Sequence, residues 1–419
     1  MSPTPPRTVA VVGAGIVGLA SAWFLQEHGV EVTVLERDRV GAGASWGNSG
    51  WLSPALATPL PEPAVVRYGA RSALRASSPV YVPPRPDPKV LSFLTRFLLS
   101  STSARWRAGM AGMAPLNALA LDSFDRLIAG GVTGTTSCPP AHLACFRHQA
   151  EQLEMALELD EIRACGQPVD AELLDGDEAR ALNPAVSEEV TAALALKGQR
   201  FLDPSAFVTS LAEAVAARGG HLETGTDVKA VREVNDRAEL AVLQDELLTR
   251  RAFDAIVLAN GAWLRELTRR LGVRVPVQSG RGYSFTAPAS REVTTPLYFP
   301  TQRVACTPVG DRVRVAGMME LRPPGAPIDR GRLAAVADSV RPLLVGVDLS
   351  DTRDAWVGSR PFTADGLPLI GRTRSSRIWV AGGHGMWGVT QGPATGSLVA
   401  AAMVTGVLPP ELRPFDPLR

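Results

Sequence analysis

Apolar and polar positions recur along this chain with two periods, and each change of period marks a new element. Val9 to Val12 are uniformly apolar, as in a strand covered on both faces. Residues 16–28 then follow a helical pattern, and Glu31 to Leu35 form a short β-branched run. Strand, helix, strand in that order predicts a parallel βαβ unit. Further on, Ala206 to Arg218 reads as a helix with Phe207, Leu211, Ala214 and Val215 on one face. Asp203 or Ser205 starts it and Gly219-Gly220 ends it. Strands are expected at His221 to Glu223, at Val228 to Val234 with a meander to Arg251, and at Ala255 to Leu258. Pro276 to Ala287, Leu297 to Pro308 and Arg312 to Met318 read as strands of an antiparallel sheet, with a hairpin turn at Gly310-Asp311. Arg332 to Leu344 spaces as a helix, Ile378 to Ala381 as a strand, and a last helix is expected from about Pro393. Lys89 to Leu99 and Ala104 to Gly130 carry helical spacing, while the proline-dense residues 54–88, with Pro83-Pro84, read as an extended connector.

The first strand runs into Gly13-Ala14-Gly15-Ile16-Val17-Gly18. Gly13 permits the tight turn, Gly15 lets backbone approach a pyrophosphate, and Gly18 lets the helix pack close to the sheet. The helix then offers its N-terminal N–H groups and dipole to the phosphates. Glu36, after the second strand and followed by Arg37, is placed to accept from a ribose diol, and its charge disfavours a 2′-phosphate. Residues 9–25 carry no charge and Ala20-Ser21-Ala22 resembles a cleavage site, but three glycines and a second strand with its own acid argue against a signal peptide. Two more glycine-rich stretches bring backbone near a ligand: Gly41 to Gly50, which holds Ser45, Asn48 and Ser49, and the turn Asn260-Gly261-Ala262-Trp263. A third, Gly382 to Gly388, again follows a strand and precedes a helix. A nicotinamide site seldom needs this second cradle, whereas FAD must be held at both ends.

Composition narrows the reading. With 419 residues the chain can build two lobes. A net charge of +1 gives no field that would call for nucleic acid, and all but three of its 43 basic residues are arginines spread along its length. No apolar run reads as a transmembrane helix. The four cysteines show no disulfide framework, which suits a reducing, cytoplasmic setting. Cys138, His142, Cys145 and His148 are close in sequence but spaced too tightly for a zinc module, so no metal is expected. The apolar residues 89–99 suit a lid or core helix, and they leave open a peripheral contact with the inner face of a membrane.

With both cradles in view, the chain resembles the D-amino-acid dehydrogenase and oxidase superfamily of FAD flavoproteins, which includes glycine and sarcosine oxidases. The resemblance spans nearly the whole chain. It rests on Gly47-Asn48-Ser49-Gly50-Trp51-Leu52-Ser53-Pro54, on residues 313–321, on Arg360-Pro361 with Asp365-Gly366, and on Gly383-His384-Gly385. The first two are more similar to bacterial D-amino-acid dehydrogenases. The resemblance implies an α/β fold: a Rossmann-like FAD-binding domain (1–85, 190–272 and 350–419) and a discontinuous α+β substrate domain on an antiparallel sheet (86–189 and 273–349). It implies that Val228 meets the adenine side through its backbone, that Ser45, Asn48, Ser49, Gly50 and Leu52 lie near the pyrophosphate and flavin, and that Gly385 to Thr390, with Gly388 and Val389, face the flavin ring. Met386 stands where glycine oxidases carry a second arginine, so a two-arginine clamp is not expected. Gly47 and the absence of a cysteine near the last glycine motif imply non-covalent FAD.

The activity so implied is oxidation of the C–N bond of a D-amino acid or cyclic imino acid by hydride transfer to flavin N5, giving an imine or 2-oxo acid. An N-substituted glycine or other secondary amine, a 2-hydroxy acid, and a non-catalytic flavin-binding subunit are the alternatives. The electron acceptor is a quinone or another species. Arg360 is the candidate for a bidentate grip on the substrate carboxylate, against an ion pair with Asp365. Tyr283 is a candidate for the same carboxylate or for packing, and His384 for holding the cofactor loop or touching substrate. Trp51, Met386 and Trp387 are candidate pocket walls, which would favour an apolar or cyclic side chain.

Overall fold

The computed structural model describes residues 5–63, 80–83 and 87–419. Much of the expected proline-rich connector, residues 64–79 and 84–86, lies outside the described residues.

A six-stranded sheet forms the first layer. β1 (Thr8–Val12) runs at its centre, parallel to β2 (Glu31–Leu35) on one side and to Ala255–Leu258 on the other. Ile378–Gly382 continues the parallel set, His221–Glu223 borders β2, and Leu369–Arg372 closes the far edge antiparallel. α1 (Ile16–Glu27) covers one face with the helices Pro204–Ala217 and Gly388–Thr405. Gly396 sets the closeness of that packing, since a Cβ there would lie 2.7 Å from the backbone of Ala20. Trp23, Phe24, Phe124 and Phe207 fill the core beneath. The three-stranded sheet of Asp227–Val234, Arg237–Gln244 and Leu247–Phe253 supplies Val228, Leu240 and Val242 to the opposite face.

The second layer is a larger, mostly antiparallel sheet. Val277–Pro288 lies between Arg353–Thr363 and Arg312–Glu320. Val304–Val309, Leu297–Phe299, His142–Phe146, Ala192–Leu196 and Ala171–Asp175 extend it. The strands Ala192–Leu196 and Arg353–Thr363 thus belong to this sheet, although the sequence division put them with the cofactor lobe. Periodicity records that a strand is buried but not which edge it pairs with. The helices Ser103–Ala118 and Ala120–Ala129, expected in the second lobe, place Met113, Leu116, Phe124 and Leu127 in the core around α1.

Three boundaries differ from expectation for local reasons. The run Leu297 to Pro308 is broken by a turn in which Arg303 takes φ 56°. The helix expected from Arg332 begins at Arg330, after Asp329 accepts from the Gly331 N–H. The last helix begins at Gly388 rather than Pro393, because glycines that read as loop supply its first turns. Among the described residues no helix is long and apolar enough to cross a membrane.

Candidate active site

Two chambers meet between the sheets. The first, of about 160 Å³, follows the C-terminal ends of β1, β2 and their parallel neighbours. Gly13 turns out of β1 with φ 106°, where a Cβ would press to 2.7 Å on the Ala259 carbonyl. Gly18 packs so tightly that its Cβ would sit 2.0 Å from the Gly13 carbonyl oxygen. At Gly15, by contrast, a Cβ would touch only Ser45 Oγ, 3.2 Å away, so this backbone is bare toward the chamber. The Ile16 N–H donates to that Oγ at 3.1 Å, and Gly15, the helix N-cap, carries no side-chain cap of its own. Glu36 accepts from the Ala14 N–H at 2.8 Å and the Asp38 N–H at 2.9 Å, which fixes its carboxylate at the chamber wall.

Ile16, Val17, Arg37, Asn48, Val228, Asn260, Gly261 and Trp263 line the same chamber, as do His384, Gly385, Gly388 and Val389 from the other end of the chain. Arg37 stacks over the Trp263 ring at 3.6 Å, which ties the β2 terminus to the turn after Ala255–Leu258. Asn260 Oδ1 is buried without a hydrogen-bond partner among the described residues. His384 is buried, its Nε2 is 2.9 Å from Thr395 Oγ1, and burial holds its pKa down to about 3. It is therefore neutral, and it fastens the glycine turn to the following helix. Gly18, Gly50, Leu52 and Gly383 line neither chamber: Gly50 and Gly383 take φ 78° and 75° at turns, and Leu52 is in the core. A bare glycine backbone at a helix start whose N-cap residue has no side chain, an anchored acid at the second strand and an unpartnered buried amide oxygen fit an extended dinucleotide cofactor.

The second chamber, of about 280 Å³, is walled by Trp51, Leu60, Trp106, Tyr298, Met318, Met319 and Trp387, with Ser49 and Thr390 at its inner side. The helix Gln149–Ala164 adds Met155, Leu159 and Ile162. Sequence reasoning passed over these three, yet their i, i+4, i+7 spacing was visible. Asn48, Arg360 and Met386 border both chambers.

Arg360 comes from the strand Arg353–Thr363 and its guanidinium reaches over Gly282, where a Cβ would be 2.2 Å from the guanidinium carbon. Glycine at that position makes the space the arginine occupies. Its Nη1 donates to the Met318 carbonyl at 3.2 Å, and no carboxylate pairs with it among the described residues. Burial pushes its pKa down to about 10, so it stays charged at neutral pH. The alternative partner, Asp365, is bound instead by Arg419 at 2.8 Å and 3.0 Å. Tyr283 borders neither chamber: its hydroxyl donates to Glu320 Oε1 at 2.7 Å in the core of the larger sheet, so its place is corrected from pocket to interior.

Strand-turn-helix cradles at both ends of one cleft, opening on a chamber bordered by Arg360, which no carboxylate pairs with among the described residues, are the site of a flavin-dependent oxidoreductase. Residues 8–402 match the family model described as FAD dependent oxidoreductase (DAO), and the chain belongs to that family. It is similar to "D-amino acid dehydrogenase" of Cereibacter sphaeroides, with 31% identity over 416 residues covering 97% of this chain and 94% of the relative. It is also 31% identical to "D-amino acid dehydrogenase 1" of Mesorhizobium japonicum, over 94% of this chain and 95% of that one. Its fold matches a glycine oxidase from Geobacillus kaustophilus at TM-score 0.74 and 22% identity, covering 99% of each chain.

Proposed function

We propose that the protein oxidises the C–N bond of a D-amino acid or cyclic imino acid to an imine, which water hydrolyses to the 2-oxo acid and ammonia, or which persists where the imine is cyclic. The observation that carries this reading is Arg360, a buried cation that no carboxylate of the described chain answers, at the border of the two chambers. A ligand that brings its own carboxylate satisfies it, and a bidentate contact fixes the α-carbon toward the first chamber. Gly15, Ser45, Glu36, Asn260 and the turn at Gly385 would hold FAD without a covalent bond, and when bound it supplies the two-electron acceptor. His384, neutral and committed to Thr395, positions the cofactor loop rather than binding the substrate carboxylate. Asn48, Arg360 and Met386 at the junction offer no base, so the substrate amine loses its proton to water before reacting. The similarity to D-amino acid dehydrogenases supports the D configuration.

The acceptor that reoxidises the cofactor is a quinone in this reading. The helix Pro88–Ser100 exposes Leu91, Leu98 and Leu99 beside Lys89, Arg96 and Arg105, a surface suited to peripheral contact with a membrane. Anaerobic mixing of the holoenzyme with D-amino acids, L-amino acids, sarcosine and 2-hydroxy acids tests the activity. Bleaching of the flavin absorbance by D-amino acids is expected, and bleaching only by sarcosine or a hydroxy acid would replace the assignment with the corresponding alternative.

A further inference from the structure

The second chamber is larger than a small amino acid needs, and its walls differ in rigidity. Trp51 is held from four directions. Its Nε1 donates to Thr307 Oγ1 at 2.8 Å, and its carbonyl accepts from Thr390 Oγ1 at 3.0 Å. The His142 ring lies 5.0 Å from its own and the Tyr298 ring 5.8 Å, edge-on. Thr307 in turn donates to the Ser49 carbonyl at 2.7 Å, which ties the indole to the glycine-rich segment. Met318, Met319 and Met386 line the same chamber, unbranched side chains that adapt to the shape of whatever they touch. At about 280 Å³ the chamber has room for far more than a methyl side chain.

The outer end holds Glu158 and Glu161, which by themselves would suit a cationic tail. Arg303 stands on the same wall and opposes the effect of burial on Glu158. With Glu62 also on the lining, Arg303 offsets part of this acidic charge.

Resting on the proposed amino-acid oxidation, we infer that the chamber selects substrates with a large apolar side chain, aromatic above all, and that Trp51 is the residue that sets this preference. The side chain lies against the fixed indole and the methionines adapt to its shape.

The test is kcat/KM of the holoenzyme for D-phenylalanine, D-alanine and D-arginine. D-phenylalanine is expected to exceed D-alanine by ~10-fold or more, the discrimination an apolar pocket gives for missing methylenes. Trp51→Ala should collapse that ratio and Trp51→Phe should keep most of it, with flavin content measured in each variant. Because the ratio is taken within one protein, partial loss of folded enzyme does not change it. Preference for D-alanine or D-arginine, or a ratio unmoved by Trp51→Ala, overturns the assignment of Trp51 while leaving amino-acid oxidation intact. A holoenzyme that no amino acid bleaches overturns the activity itself, and this inference with it.

Discussion

Arg281 and Arg360 sit on neighbouring strands of the same sheet, where Gly280 pairs with Arg360 and Arg281 with Ser359. Both are enclosed by protein, and they differ in what answers their charge. Arg281 Nη1 lies 2.9 Å from Glu320 Oε1, with both side chains fully buried. Tyr283 donates to the same oxygen, while Arg332 and Arg322 approach Oε2 at 3.5 Å and 3.6 Å. Arg360 has only a carbonyl. A buried charge that meets its counterion inside the chain serves the fold, and on the proposed function one left without it at a chamber wall is open to a ligand's carboxylate. The comparison separates an arginine sealed in the core from one that borders the two chambers. It also explains why Tyr283 is structural: it belongs to the answered cluster.

Breaking the answered pair gives the largest effect. Glu320→Ala leaves several guanidinium groups facing an empty place, and loss of one partner from a buried pair costs ~3–5 kcal/mol. Denaturant unfolding is expected to show that loss, and a variant as stable as the parent would remove Glu320 from any structural role. Arg360→Ala acts on the other arm: a fold of near-parental stability with kcat/KM for carboxylate substrates lower by ~2–5 kcal/mol, the range for truncating one side of a buried charged contact. Steady-state kinetics against a substrate amine that lacks the carboxylate supplies the control. Equal losses for both substrates would show that Arg360 supports the fold rather than the carboxylate.

Gly282→Ala sharpens the comparison without removing any charge. The new methyl would meet the Arg360 guanidinium at 2.2 Å, so the arginine must move from its place. Such overpacking costs ~1–3 kcal/mol, part of it in stability and part in substrate binding. KM rising more than Tm falls is the expected pattern, and unchanged KM would mean that the position of Arg360 does not matter.

The two arms were unequally legible in the sequence. The first chamber was readable because its requirements are local: Gly13, Gly15 and Gly18 lie within one turn, and Glu36 follows at a spacing fixed by one helix and one strand. Arg360 was readable only through likeness to a family, since its isolation depends on Asp365 turning to Arg419, and no short-range pattern records that. Between the two readings of Tyr283, carboxylate or packing, the sequence could not choose for the same reason, because Glu320 lies across a strand pair whose register is displaced by a bulge at Arg281/Tyr283. The second chamber's walls come from eight separate stretches of the described chain, so only Trp51, Met386 and Trp387 stood out beforehand.

A third fate of a buried group completes the comparison and gives the smallest predicted effect. His142 and His384 have neither a counterion nor a ligand charge, and burial holds both near pKa 3, so they stay neutral where Arg360 stays charged. In the unfolded chain each titrates near ~6.5. Below that pH the unfolded state binds protons that the folded state refuses, so stability is full above ~6.5 and falls as pH drops toward 3. Each histidine contributes a slope of up to ~1.4 kcal/mol per pH unit in that window. His142→Phe, which keeps a ring against Trp51, is therefore expected to remove about half of the decline between pH 6.5 and 5.5, measured by denaturant unfolding of the holoenzyme. An undiminished slope would mean that His142 takes up a proton in the folded protein, and its place would then be with Arg281 among the answered charges.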